Sequence, residues 1–290
     1  MKFDHTVMIY FSPTGTSRLI LEAAAKGLGE NVPQIIDITD PAVRQKEAPE
    51  LENALVLMAA PVYAGRIPLD AAAYLKQIRA RNCVAVPVVV YGNRDYDDAL
   101  LELKDIAEKI GCVPVAGGAF IGEHSFCSKE FEIAPNRPDE KDLEEARSFG
   151  KRISEILREA QDQESLSAVE VPGNFPYKEL KGHGSFQFIE VTDECDDCGI
   201  CATVCPKNAI DESNGFATRD EDCIYCCACI KECPRDARVM TDNPIKKIAG
   251  WLSETCTERK EPEVFFKKTV TDIRKNQDNS DRIVTDFFYS

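Results

Sequence analysis

The sequence is short of basic residues and has no long apolar run. Its 35 Lys+Arg stand against 50 Asp+Glu in 290 residues, a formal net charge of −15. So few cations leave little surface for binding phosphate backbones, and nucleic acid is not an expected partner. No stretch approaches the roughly 18 apolar residues of a membrane span. The first residues, Met1-Lys2-Phe3-Asp4-His5, place an acid where a secretory signal carries only positive charge. A cytoplasmic protein is therefore expected, in a compartment where thiols stay reduced. The Walker pattern G-x-x-x-x-G-K-S/T is missing, and no G-x-G-x-x-G follows an expected strand: Gly117-Gly118 and Gly122 have the wrong spacing, so a nicotinamide dinucleotide site is unsupported. No Ser-His-Asp or paired-carboxylate constellation is legible. Cysteine, by contrast, is plentiful: there are 13, and disulfides do not explain them.

Nine of these cysteines lie between 195 and 233. Shifting that segment by 28 positions superimposes Cys195 on Cys223, Cys198 on Cys226, Cys201 on Cys229, Cys205 on Cys233 and Pro206 on Pro234. The segment is an internal duplication of C-x-x-C-x-x-C-x-x-x-C-P. Three cysteines spaced by two residues can wrap three corners of an iron–sulfur cube, and the fourth, before a chain-turning proline, reaches across to the other cube. One 4Fe–4S cluster is then expected on Cys195, Cys198, Cys201 and Cys233, and a second on Cys223, Cys226, Cys229 and Cys205. A pair of zinc sites is the alternative, but zinc gives no reason for the third cysteine or the proline in both copies. Cys227 is surplus to the register and reads as a buried filler, as do Cys83, Cys112 and Cys127. Residues 186 to 240 resemble the bacterial two-cluster ferredoxins. That resemblance implies a small α+β module of two short hairpins and two helical turns that passes single electrons.

Residues 1 to 160 alternate short β-rich runs with helical stretches, the signature of a parallel α/β sheet. Strands are expected at 6–11, 34–37, 54–59, 85–91 and 112–119, and helices at 18–28, 68–80, 99–110 and 139–159. Such a doubly wound five-stranded sheet binds ligands outside the carboxyl ends of its strands. At the first of these ends stand Ser12, Pro13, Thr14, Gly15, Thr16 and Ser17, hydroxyls and one glycine at a helix N-terminus, suited to holding a phosphate. The loop resembles the S/T-x-T-G-x-T phosphate loop of the flavodoxins, with Ser17 replacing the last threonine. Pro61, Val62, Tyr63, Ala64 and Gly65 follow the third strand, and Gly92, Asn93 and Tyr96 the fourth, where flavodoxins hold the isoalloxazine ring. The resemblance therefore implies a flavodoxin-like fold and FMN, with Tyr63 and Tyr96 offering stacking faces. His124 follows the fifth strand. It and Tyr96 are the proton donors on offer if a small substrate were reduced directly.

Residues 161 to 185, with two prolines and three glycines, read as a linker that sets the distance from the flavin to the first cluster. The ferredoxin segment extends to 245, and 246 to 290 forms a C-terminal tail. Trp251-Leu252, Val264-Phe265-Phe266, Ile283-Val284 and Phe287-Phe288-Tyr289 give this tail too much apolar content for a disordered end. Packing onto its own chain is expected, with docking or formation of a homodimer as the alternative. The whole span from 1 to 245 resembles the flavodoxin–ferredoxin fusion proteins of anaerobic bacteria and archaea, of the EFR ferredoxin type. Electron transfer between FMN and two 4Fe–4S clusters is the implied function. The alternatives are a ferredoxin-dependent reductase acting at the flavin and a ferredoxin joined to a flavin-free docking domain. Residues 186 to 245 hold 13 acids against 5 bases, so redox partners with a basic docking face are expected.

Overall fold

Ala54–Pro61 and Cys83–Tyr91 are nearly continuous apolar runs, and in the computed structural model of the protein every residue of both is buried. Strands buried on both faces belong in the middle of a parallel sheet covered by helices. The structure describes residues 3–29, 33–160, 166–180 and 186–267.

In chain order the first part comprises β1 (His5–Tyr10), α1 (Thr16–Leu28), β2 (Gln34–Asp37), α2 (Pro41–Arg44), β3 (Glu50–Glu52), β4 (Ala54–Pro61), α3 (Leu69–Leu75), β5 (Arg79–Arg81), β6 (Cys83–Tyr91), α4 (Ala99–Lys109), β7 (Cys112–Pro114), β8 (Ala116–Ile121) and α5 (Glu140–Glu159). The strand order β2-β1-β4-β6-β8 is parallel throughout, the flavodoxin-like order with its crevice where the sequence of strands reverses. The expected fifth strand is two pieces. β7 pairs with residues 83–85 of β6 and β8 with 88–91. Pro87, which has no N–H to give, falls in the gap between them, where a central strand tolerates it. The helix expected over 68–80 ends at Leu75, because 79–81 turn into β5 and pair with β3; tertiary pairing overrides local propensity there.

Two apolar layers flank the sheet, one beneath α3 and α4 and the other beneath α1 and α5. The helices α1 and α5 approach to backbone distance. A Cβ on Gly27 would stand 1.9 Å from the carbonyl oxygen of Arg147, and one on Gly150 would stand 1.9 Å from that of Ala24.

The residues expected as a linker are anchored to this sheet where they are described. Val169 is buried and its amide donates to Pro114 O at 2.7 Å. Asp98 accepts from the amides of Asn174 and Lys178, each at 2.7 Å. Burial works to raise the Asp98 carboxyl, but those hydrogen bonds outweigh it and hold it below its usual range. Tyr177 donates to Asp105 at 2.6 Å, and the Arg66 guanidinium lies over its ring.

The second module contains β9 (Ile189–Val191), α6 (Ile200–Thr203), β10 (Ile210–Asp211), β11 (Ala217–Thr218), α7 (Ala228–Lys231) and β12 (Arg238–Met240). Only β10 and β11 form a hairpin. β9 pairs antiparallel with β12, so the strands flanking the duplication clasp each other rather than forming the second expected hairpin.

After α8 (Pro244–Thr255) the chain returns to the first part. β13 (Glu263–Phe266) pairs antiparallel with β8 and completes the sheet at its edge. The apolar groups at 283–289 lie outside the described residues.

Two outcomes are expected. Gly150→Ala would gain about 1 kcal/mol of helix propensity, but it drives a methyl into a backbone carbonyl that has no rotamer to escape by. A net loss of at least about 1 kcal/mol is therefore expected in denaturant unfolding. Asp98 carries a depressed carboxyl, so its stabilisation is present above the unfolded value of about 4 and fades as pH falls below it. Asp98→Ala should free residues 166–180 for proteolysis at neutral pH. Wild-type protein should show the same increase only on acidification.

Candidate functional site: strand-end loops and cysteine cavities

The loop after β1 is fixed by its own hydrogen bonds and by a left-handed glycine. Gly15 takes φ +81° at the N-cap of α1, a left-handed conformation suited to glycine. The Gly15 amide donates to Ser12 O at 3.1 Å, and Ser12 Oγ accepts from the Arg18 amide at 3.0 Å. The Ser12 amide is fixed in turn by Thr39 Oγ1 at 2.7 Å. Thr16 and Ser17 open the helix, where amides have no intrahelical acceptor. The Ser17 hydroxyl is buried without a hydrogen-bond partner. Thr14, in the same loop, is half-buried. An unpaired buried hydroxyl beside helix N-terminal amides fits an anion acceptor such as a phosphate.

The second loop is a tight turn. Tyr63 and Arg66 exchange backbone hydrogen bonds at 2.8 and 3.1 Å, with Ala64 at φ +53° and Gly65 at φ +89°. Val62 bonds to Val90 O at 2.9 Å, which ties the turn that follows Pro61 to the neighbouring strand. Tyr63 is half-buried; burial pushes its hydroxyl well above the usual range, negative charge at Cys226 adds to this, and Ser125 opposes it.

At the third loop the polar side chains meet the C-terminal tail. Gly92 lies under His124, whose Cδ2 would be 2.2 Å from a Cβ there. Asn93 Nδ2 donates to Cys256 O and Glu258 O, both at 2.8 Å, and its Oδ1 accepts from the Lys260 amide. Tyr96 is buried and donates to Glu263 Oε2 at 3.0 Å, its ring tilted against Tyr91. Asn93 and Tyr96, both expected at the flavin, have their polar atoms on the tail. Of the two suggested proton donors, Tyr96 is engaged with Glu263, whereas His124 is a neutral imidazole with its proton on Nε2. His124 Nδ1 accepts from the Phe126 amide at 3.0 Å, and burial, helped by Lys231 and Arg94, lowers the imidazole to about 4.

The duplicated cysteine segment repeats in backbone conformation as well as in sequence. Asp197 and Tyr225, Asn208 and Asp236, and Gly199 and Cys227 all adopt positive φ, each pair 28 residues apart. The amides of Ala209 and Ala237 donate to Cys205 Sγ and Cys233 Sγ, both at 3.3 Å. One cavity is lined by Cys195, Cys198, Cys201 and Cys233. The other is lined by Cys205, Cys223, Cys226 and Cys229, together with Cys227. Each cavity thus takes three cysteines from one copy and one from the other. Four cysteines in each cavity, three at two-residue spacing and the fourth from the other copy, suit a polynuclear group better than zinc.

The two cavities are placed differently. Cys198 is exposed and Asp196 and Asp197 beside it face solvent, whereas Cys226, Cys227 and Cys229 are buried. The counterparts of Asp196 and Asp197 are Ile224 and Tyr225. Ile224 packs against the apolar layer of the α/β part, and Tyr225 packs on Phe186 and Phe188. Lys207 pairs with Asp70 at 2.8 Å, Lys231 with Glu123, Lys246 with Glu130, and Arg44 donates to Pro206 O. The cavity joined to the strand-end side of the sheet by these contacts is therefore the second. None of these contacts was singled out from sequence. The one available signal was the replacement of Asp-Asp by Ile-Tyr between the aligned copies.

Residues 189–211 match the family described as a 4Fe-4S binding domain. No curated protein matches the chain in sequence. Among solved structures, 53% of the chain is similar to 98% of a flavodoxin from the domain Archaea, at 15% identity and a TM-score of 0.35. A flavodoxin of Streptococcus pneumoniae TIGR4 matches 52% of the chain over 98% of its own length, at 12% identity and a TM-score of 0.36. For the rubredoxin oxygen:oxidoreductase of Desulfovibrio gigas the figures are 53% of this chain, 36% of that one, 12% identity and a TM-score of 0.37. The strand order and the matched domain define a flavodoxin-like α/β sheet carrying a 4Fe–4S segment, an architecture for redox electron transfer. No helix among the described residues is long and apolar enough to cross a membrane.

Cys227 stands in a left-handed conformation where its sister copy has Gly199, and it lines the second cavity. As a filler rather than a ligand, Cys227→Ala should leave iron and sulfide per chain unchanged. Loss of half the iron would make it a ligand.

Proposed function

We propose that the protein is a flavo-iron–sulfur electron carrier with FMN at the strand ends and two 4Fe–4S clusters, of the flavodoxin–ferredoxin type, working in the cytoplasm of an anaerobe. The observation that carries this reading is the pair of cysteine-lined cavities with exchanged fourth ligands, the second lined by Ile224, which packs against the apolar layer of the α/β part. When bound, FMN would exchange one or two electrons and each cluster one. Ser12 and the Thr14–Ser17 segment would hold the phosphate, and the turn at Pro61–Gly65 would border the ring. The cavity of Cys205, Cys223, Cys226 and Cys229 would be the inner electron site. The cavity of Cys195, Cys198, Cys201 and Cys233, with exposed Cys198, would face the partner. The acids around it, Asp193, Glu194, Asp196 and Asp197, are exposed and favour a partner with a basic face.

A second reading has an observation of its own. Because Asn93 and Tyr96 are held by the tail, the α/β part could serve the clusters as a docking platform without flavin. Anaerobic purification followed by iron, sulfide and acid-released flavin analysis decides between the two. About eight irons and one FMN per chain support the carrier. Eight irons with no flavin, even after FMN is added, support the platform, and zinc in place of iron sinks both. The acidic rim predicts electron-transfer rates with the physiological partner that fall as salt rises; salt-independent rates would count against a basic docking face.

A further inference from the structure

Arg238 is only 2% exposed, and none of the cluster chemistry considered so far uses it. The other buried arginine of the described residues has a carboxylate: Arg137 pairs with Asp142. Among the described residues Arg238 has no ion pair. Its Nη1 donates to Phe216 O at 2.7 Å and its Nη2 to Thr218 Oγ1, while its Nε is buried without a partner. A buried guanidinium facing only neutral acceptors is costly unless an anion lies nearby.

The nearest candidates for that anion are sulphurs, and they belong to both cavities. Nη1 is 3.7 Å from Cys201 Sγ, in the first ligand set. The same guanidinium opposes the rise that burial gives the Cys229 thiol, so its charge is also felt in the second. The guanidinium lines the first cavity directly. Its counterpart 28 residues earlier is Ile210, so the duplication supplies no twin, and one cation serves both copies.

On the two-cluster reading, we propose that Arg238 is the shared counter-ion of both clusters, a positioning residue that holds the two reduction potentials up together. A cluster held by four thiolates is anionic and gains one more negative charge when reduced. A fixed cation beside its sulphurs therefore favours the reduced form, as hydrogen bonds to sulphur do. Because the same guanidinium reaches Cys201 and Cys229, removing it should lower both potentials. Loss of a contact to a single cluster would move only one.

The test is an anaerobic redox titration followed by EPR on the full-length protein, with iron and sulfide measured on each sample. Arg238→Gln should keep the wild-type iron content. It should also shift the reduced-to-oxidised ratio of both clusters at least tenfold at fixed ambient potential, which is 59 mV or more downward for a one-electron couple. Arg238→Lys, which keeps the charge, should restore most of that shift. Full iron with both potentials unchanged, or with only one changed, would overturn the proposal. If Arg238→Gln fails to assemble clusters, wild-type protein labelled with 15N-arginine answers by pulsed EPR. A nitrogen coupled to the reduced clusters should appear and persist in Arg235→Lys, and its absence would overturn the proposal. Wild-type protein without iron would instead refute the two-cluster reading on which the proposal rests.

Discussion

The exchange of the fourth cysteine between the two repeats is the constraint on which the second module depends. Cys205 belongs in space to the second set and Cys233 to the first, so neither repeat can complete its own site. The module has a small apolar core in which cysteines are prominent members. Below about 40 to 80 residues a hydrophobic core alone is marginal, and crosslinks or metals usually supplement it. The β9–β12 clasp and the paired left-handed turns hold the eight sulphurs in two groups of four, of which only Cys201, Cys226 and Cys229 are buried, so ligation rather than thiol burial would join the repeats.

Symmetry ends where the module meets the sheet. The backbone of the two repeats matches turn for turn, yet Asp196-Asp197 became Ile224-Tyr225 and Gly199 became Cys227. Each change exchanges a solvent-facing or permissive residue for one that packs. Ile224 joins the apolar layer of the α/β part, and Lys207, Lys231 and Lys246 are each matched by a carboxylate across the junction. An exposed lysine–carboxylate pair contributes about 0 to 1 kcal/mol, so these pairs set orientation more than they add affinity.

Much of the fold was legible because its signals were local. The short apolar runs at 54–59 and 85–91, the second of them rich in valine, read as strands, and the cysteine register stated its own pairing. What was not legible depended on distant partners. Glu263-Val264-Phe265-Phe266 has no clean alternation and becomes a strand only because β8 offers it an edge. The loop at 92–96 was placed correctly, but nothing local could tell that Asn93 and Tyr96 would be claimed by residues 256 to 263. Arg238 is one arginine among short strands, and it stands out only once burial and the lack of a carboxylate are both known.

The return of β13 to the sheet changes what kind of insertion the cysteine module is. Although it follows the α/β part in sequence, the sheet is not finished until residues 263–266 have been laid against β8. In topological terms the iron–sulfur segment is an excursion within one continuous fold, entered after α5 and closed by the last strand. A chain cut after α5 would leave β8 with a bare hydrogen-bonding edge, and Phe149 without the Phe266 ring 5.5 Å away. Such unpaired edges invite association with other chains. The two halves are therefore poor candidates for separation at the point where their sequences divide. During synthesis the sheet must wait for the whole module to emerge before its outer strand can be added.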